Sequence, residues 1–224
     1  MASAVLFSGG LDSAVLLALE LRDQTPVLPI HVRAGLAWEA GEATAIATLL
    51  ARPPYAGRAL ALRTITVDMR DVYPASHWAV EGRPPAYDTP DEDVYLPGRN
   101  ITLIAKASVL CAALDVRRLV LGPLAGNPFP DARPAFFTAM ADAMSLGLDH
   151  RMEIAAPLAH LHKDRVIALG VELGVPLELT LSCMNPDAGR HCGRCSKCRE
   201  RIDAFHEAGI ADPTSYASAP ANRR

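Results

Sequence analysis

The sequence predicts an α/β fold, a five-stranded parallel sheet with helices on both faces and a small zinc-binding element at the C-terminal end. Three observations carry this expectation. Short apolar runs alternate with stretches of helical period, as βαβ units require. A Gly-rich turn, SGGLDS at 8–13, leaves the first apolar run and opens the first helix. Four cysteines then gather at 183–198, behind the last of these units.

The elements follow in order. AVLF, 4–7, reads as a short buried strand, and helical spacing begins near Asp12 and runs through Val15, Leu16 and Leu19. VLPIHV, 27–32, is a second strand, followed by an Ala- and Leu-rich helix at about 39–51 that Pro53-Pro54 breaks. TITVDM, 64–69, alternates as a third strand. Residues 70–98 carry five prolines and the acidic run Asp91-Glu92-Asp93, which marks either a lid or a plain surface connection. Helix resumes at 101–114, RLVLGPL at 118–124 is a fourth strand, and a Pro-rich loop at 126–134 leads to a helix at about 135–146. RMEIAAPL, 151–158, is the fifth strand and a helix follows at about 163–173. The expected organisation is a nucleotide-binding α/β domain over 1–180, a helical zinc-binding element over 181–217, and a tail, SAPANRR, over 218–224.

Composition narrows the function. The chain has 224 residues, half of them hydrophobic, and a net charge of −3, so a sizeable core can form and no global basic footprint invites nucleic acid. No apolar run approaches the roughly 20 residues needed to span a bilayer, and the opening MASAVLF lacks the pattern of a signal peptide. The expectation is a cytoplasmic protein without membrane or stable nucleic-acid partners. Five cysteines in that setting suit metal ligation or buried thiols better than disulfides.

Ser8-Gly9-Gly10-Leu11-Asp12-Ser13 has the parts of a phosphate cradle. The glycines let the backbone approach an anion, Ser8 and Ser13 can donate, and free N–H groups at the helix start favour negative charge. The Gly-Lys-Ser/Thr ending of a Walker A loop is absent. Asp12 beside phosphates requires an intervening cation, which points to Mg²⁺; the bland alternative is an N-cap. Cys183, Cys192, Cys195 and Cys198, spaced C-x8-C-x2-C-x2-C, suit tetrahedral structural Zn²⁺, with an iron–sulfur cluster as the rival. Arg190, Arg194, Lys197 and Arg199 would offset the thiolate charge. Cys111, at helical spacing with Ile104, reads as a buried small hydrophobe.

The hexapeptide resembles the loop of the PP-loop ATP pyrophosphatases (adenine nucleotide alpha hydrolase-like), which hold pyrophosphate as a leaving group while a substrate oxygen takes AMP. Together with LPGRN at 96–100, PDARPAF at 130–136, IAAPLAHLHKDRVIALGVELGVPLELTLSC at 154–183 and DPTSY at 212–216, the two motifs resemble the 7-cyano-7-deazaguanine synthase family. The likeness covers nearly the whole chain. It implies an ATP-dependent ligase that adenylylates 7-carboxy-7-deazaguanine, accepts ammonia to form the amide, adenylylates the amide oxygen and eliminates AMP to leave the nitrile. It also implies a homodimer. On this reading Arg99 clamps a phosphate or carboxylate, Lys163 stabilises charge at the α-phosphate, and Asn100 either caps a helix from Ile101 or meets the nucleotide. Asp131 and Arg133 face the substrate or staple their loop to each other.

Two stretches depart from the family pattern. His31-Val32-Arg33-Ala34-Gly35-Leu36 replaces a run like Tyr-Gly-Gln-Arg-His, and the loop Gly122–Arg133 is shorter, with Leu124 at a polar position. His31 and Arg33 either supply substitute substrate contacts or, for His31, merely end a strand. The remaining alternatives are the same chemistry on another small acid, tRNA modification by a PP-loop enzyme, and a non-catalytic nucleotide-binding module.

Overall fold

The computed structural model describes residues 3–23 and 26–219; most of the expected tail, residues 220–224, lies outside them. Five parallel strands form one sheet in the order β3-β2-β1-β4-β5. They are β1 (Ser3–Leu6), β2 (Val27–Arg33), β3 (Arg63–Thr66), β4 (Arg118–Val120) and β5 (Glu153–Ala155). The helices are α1 (Leu11–Asp23), α2 (Glu39–Leu50), α3 (Trp78–Glu81), α4 (Arg99–Ala113), α5 (Pro134–Leu148), α6 (Lys163–Glu172) and α7 (Ser196–Glu207).

The chain builds outward from β1 to β2 and β3, then crosses back to place β4 on the other side of β1. Parallel sheets of this kind hold ligands at such a reversal, outside the carboxyl ends of the strands. Here that places the turn after β1 beside the turn after β4. A Cβ on Gly122 would sit only 3.6 Å from the Asp12 backbone, so the two turns touch.

Both faces of the sheet are covered. Leu16, Leu17, Val166 and Ile167 of α1 and α6 bury one face with Phe7 and Val120. Ile104, Ala107, Cys111 and Phe137 of α4 and α5 bury the other with Leu28 and Ile154. Cys111 is fully buried there, as its helical spacing implies.

The last three strands are shorter than the sequence suggests. In RLVLGPL the strand ends at Val120, with a last bond from the Leu121 N–H to the Ala155 carbonyl at 3.1 Å, because Gly122-Pro123 follows and proline has no N–H for the ladder. The segment 70–98 is neither a bare loop nor a free lid. It contains α3 and a short 3₁₀ turn, Asp91–Val94, and Tyr73, Ala79, Val94 and Leu96 share a core with Trp38 and the four clustered cysteines. Trp78 stacks on Trp38 with ring centroids 5.7 Å apart.

The C-terminal segment is organised by a residue that the motifs did not mark. Arg201 of α7 is 0% exposed. Its guanidinium donates to Thr214 Oγ1 (2.6 Å), Thr180 Oγ1 (2.9 Å), Ser182 Oγ (3.1 Å) and the Leu177 carbonyl (2.7 Å). Asp212 accepts from the Thr214 N–H at 3.0 Å and the Tyr216 hydroxyl at 2.6 Å. The DPTSY motif therefore ties the C-terminal strand of chain around a buried cation.

Candidate active site

The turn after β1 is tight and closes on itself. Gly9 takes φ +72°, where L side chains are strained, and an added Cβ would press on Ile46 and Ala45 of α2 at 3.1–3.3 Å. Its carbonyl accepts from the Leu181 N–H at 2.9 Å, so the segment leading to Cys183 braces the loop from outside. Inside the loop, the Ser13 hydroxyl donates to the Gly10 carbonyl at 3.0 Å and lies 3.3 Å from the Ser8 hydroxyl.

Asp12 points out of this loop into a charge cluster. Lys163, the first residue of α6, sits 3.3 Å from Asp12 Oδ2 and also pairs with Glu200 of α7. Lys197 closes on the other Glu200 oxygen at 2.6 Å. Lys197 and Arg199 then face Asp91 at 4.0 and 3.9 Å, and Arg199 donates to the Thr89 carbonyl at 3.1 Å. Burial raises the Asp12 carboxyl above its ordinary value, with Lys163 opposing. Burial also acts on Glu200, but Lys163 and Lys197 outweigh it and hold that carboxyl at about 2. Lys163 rises above its ordinary value, since Asp12 and Glu200 overcome the desolvation of the ammonium. It is a fixed positive charge at any working pH. Asp12 Oδ1 remains buried without a partner.

Two adjoining compartments open onto this loop. The larger, about 610 Å³, runs from Ser8, Gly10 and Asp12 past Lys163 and Glu200 to the wall formed by Asp91, Lys197 and Arg199. The smaller, about 270 Å³, lies at the ends of β1 and β2 between Ile30, Val32, Leu103 and Phe129. Ser8, Gly10, Asp12, Glu42 and Arg99 line both. The Arg99 Nε is buried without a partner, at a point where an anion from either side could meet it.

The remaining expected residues divide. His31 is 3% exposed, lines the smaller compartment and leaves its Nε2 unpartnered. Burial holds its imidazole below the ordinary value, although Glu39 opposes this. Asn100 also lines the smaller compartment, but α4 begins one residue before it, so it does not cap from outside the helix. Its amide donates to the Asp131 carbonyl at 3.0 Å, and the Asp131 carboxylate accepts from the Asn100 N–H at 3.1 Å. Asp131 thus staples its loop to α4, not to Arg133. Arg133 and Arg33 are exposed and line neither compartment, and Arg33 turns toward Glu39 at 3.8 Å.

The four clustered cysteines are buried, with Sγ atoms all within 4.8 Å of one another. Three of the Sγ–Sγ separations are 4.0 Å (Cys183–Cys195), 3.8 Å (Cys192–Cys198) and 3.5 Å (Cys195–Cys198). A tetrahedron with Zn–S bonds of about 2.3 Å has edges of about 3.8 Å, so one ion fits between them. An iron–sulfur cluster would interpose its own atoms and spread the thiolates. Backbone N–H groups of Asn185, Cys192 and Arg194 point at the sulfurs at 3.3–3.4 Å. Lys197 and Arg199, expected to offset the thiolates, turn instead to the cavity. Gly193 makes the turn between ligands at φ +76°, where a Cβ would collide with the Ser218 carbonyl.

Sequence reasoning missed Glu42, Glu200 and the pairing of Lys197 and Arg199 with Asp91. Glu200 stands two residues after Cys198, a spacing that carries no signal by itself. Among the described residues, no helix is long and apolar enough to cross a membrane.

The family model described as queuosine biosynthesis protein QueC matches residues 2–209. A 7-cyano-7-deazaguanine synthase of Anaeromyxobacter dehalogenans (strain 2CP-C) is 35% identical over 231 residues, covering 96% of this chain and 95% of the relative. The protein of the same name from Stenotrophomonas maltophilia (strain R551-3) is 33% identical, covering 96% of this chain and 99% of its own. That from Thermoplasma volcanium is 32% identical, covering 97% and 92%.

Proposed function

The chain belongs to the QueC family of queuosine biosynthesis proteins, and from that premise we propose that it is an AMP-forming ligase converting 7-carboxy-7-deazaguanine to 7-cyano-7-deazaguanine with ammonia and ATP. The observation that supports this most is the phosphate loop set between two compartments, with Asp12 and Lys163 at its mouth. A nucleotide laid across both, with its base in one and its phosphates beside the acid in the other, needs such a loop between them.

The smaller compartment has the size for a nucleobase, with Ile30, Val32, Leu103 and Phe129 to meet its faces and His31 and Asn100 among the polar groups of its lining, and the larger takes the phosphates and the acid. The backbone of 9–13 and the hydroxyls of Ser8 and Ser13 hold the departing pyrophosphate. Lys163 and Arg99 stabilise charge that develops as the carboxylate oxygen attacks the α-phosphorus. The orphaned Asp12 Oδ1 fits a Mg²⁺ ligand, and Mg²⁺ bound there would shield the phosphate charge. His31 offers its free ring nitrogen to a ligand; Arg33, Asp131 and Arg133 do not enter this reading. The unit over 1–180 then carries the chemistry, and the element over 181–217 holds structural Zn²⁺ through Cys183, Cys192, Cys195 and Cys198. Free ammonia as the nitrogen source and a homodimeric, cytoplasmic enzyme complete the proposal. A thiolating reading would want a free cysteine at the cavity; Cys183 borders the larger compartment, but it converges with the other three clustered cysteines, and Cys111 is in the core.

Incubation with Mg-ATP, ammonium and 7-carboxy-7-deazaguanine, with AMP and product mass followed, tests this. AMP and nitrile are expected. AMP release only with a different acid would overturn the substrate assignment. Undiminished AMP formation by Ser8→Ala or Asp12→Asn would overturn the loop assignment.

A further inference from the structure

Glu42 is a buried carboxyl for which neither the fold nor the steps above have a use. It lies in α2, is 9% exposed and lines both compartments where they meet the phosphate loop. Its neighbour one turn back behaves differently. Glu39 is spent on the backbone, accepting from the Ala34 N–H and facing Arg33 at 3.8 Å. Three carboxylates of the larger compartment sit beside cations: Asp12 and Glu200 pair with Lys163, and Asp91 faces Lys197 and Arg199 at 4.0 and 3.9 Å. Glu42 stands apart from the lysines.

The charged and titratable groups that face it are Arg99 of α4 and Glu39, with Asp12 and His31 on the same cavity wall. The Trp38 side chain lies beside it and favours the charged form. Burial lifts its carboxyl to about 7, against the pull of Arg99 and with a smaller push from Glu39. A group poised there accepts a proton near neutrality and passes it on, which is what a general base must do.

Resting on the reading above, we propose that Glu42 is the general base of the nitrogen-transfer steps. Ammonia's lone pair attacks the acyl carbon of the adenylylated acid, the C–O bond to AMP breaks, and AMP departs with the electron pair. The nitrogen, left with three N–H bonds and a positive charge, gives one proton to Glu42. After AMP is placed on the amide oxygen, loss of the remaining N–H protons accompanies departure of the second AMP and formation of the C≡N bond. Glu42 relays these protons to solvent between steps.

The test compares partial reactions in wild type, Glu42→Gln and Glu42→Asp. ATP–pyrophosphate exchange with 7-carboxy-7-deazaguanine reads adenylylation, and amide formation from ammonia reads nitrogen transfer. In Glu42→Gln, amide formation is expected to fall at least about 100-fold more than exchange, the usual range for a lost general base. Hydroxylamine, neutral and strongly nucleophilic at this pH, should recover much of the lost acyl transfer. With the concentration of free ammonia held constant across the pH series, the wild-type rate should fall on the acid side with an apparent pKa near that of Glu42, and that limb should move in the Asp variant and vanish in the Gln variant. Equal losses in exchange and amide formation, or intact ammonia-dependent turnover in Glu42→Gln, would overturn the role of Glu42 alone. No exchange by the wild-type protein would overturn the parent reading and the base role with it.

Discussion

Arg201→Lys is the perturbation whose cost the structure defines most sharply. The guanidinium makes four hydrogen bonds in three directions, to Thr214, Thr180, Ser182 and the Leu177 carbonyl, from a position with no solvent access. Lysine keeps the charge but replaces a rigid fork with a single ammonium. It can reach one side of this ring of acceptors, so about two of the guanidinium's charge-assisted hydrogen bonds are lost, while the Leu177 carbonyl still accepts from Thr180. Each lost bond costs about 1–3 kcal/mol, so a loss of about 3 kcal/mol in unfolding free energy is expected. For a chain of this size that lowers Tm by about 6–12 °C. Urea denaturation followed by tryptophan fluorescence, with calorimetry beside it, measures both. A loss below about 1 kcal/mol with an unchanged m-value would refute the claim that Arg201 holds the C-terminal segment. Because α7 also carries Cys198, Lys197 and Glu200, the variant should bind metal more weakly as well.

Acid stability offers a second check. Against the effect of burial, Lys163 and Lys197 hold Glu200 at about 2 in the fold, where an unperturbed glutamate titrates at 4.5. A depressed carboxyl contributes stability above its unfolded value and loses it as pH falls through the folded one. Stability should therefore decline between about pH 4.5 and 2, and Glu200→Gln should flatten that part of a Tm-against-pH curve; an unchanged curve would count against the Lys163–Glu200–Lys197 arrangement. Metal analysis should find one zinc per chain, without labile sulfide. Its removal by a chelator, or Cys195→Ser, should loosen the core shared by Trp38, Tyr73 and the cysteines and weaken ATP binding at least about tenfold, since Leu181 braces Gly9. Unaltered tryptophan environment and nucleotide affinity would show that the metal element and the phosphate loop are independent.

The sheet and most helices were legible because βαβ periodicity is local and the strands are buried on both faces. Strand ends were less so. Whether chain after Val120 stays in the sheet depends on what lies beside it, and Gly122-Pro123 decided against pairing. The segment 70–98 looked like a loop because its prolines speak louder than its scattered Tyr73, Trp78 and Val94, whose partners are distant in sequence. At the site, SGGLDS and the cysteine spacing could be read because glycine geometry and thiolate convergence leave local marks. Glu42 sits in an Ala-rich helix with no such mark, and only the approach of β1, α4 and the 122–129 loop makes its carboxyl notable. Asp131 and Arg133 illustrate the converse. Both have suitable chemistry in a suitable loop, but the fold spends one on Asn100 and turns the other to solvent.

The central claim is that substrate oxygen, not water, takes the AMP. It is tested most directly with 7-carboxy-7-deazaguanine whose carboxylate carries heavy oxygen at both positions. Mass spectrometry of the nucleotide product should show AMP with a single heavy oxygen, two such AMP for each nitrile formed, and unlabelled pyrophosphate. Unlabelled AMP, or label appearing in phosphate or pyrophosphate, would contradict adenylylation of the acid and with it the role assigned to the loop around Asp12.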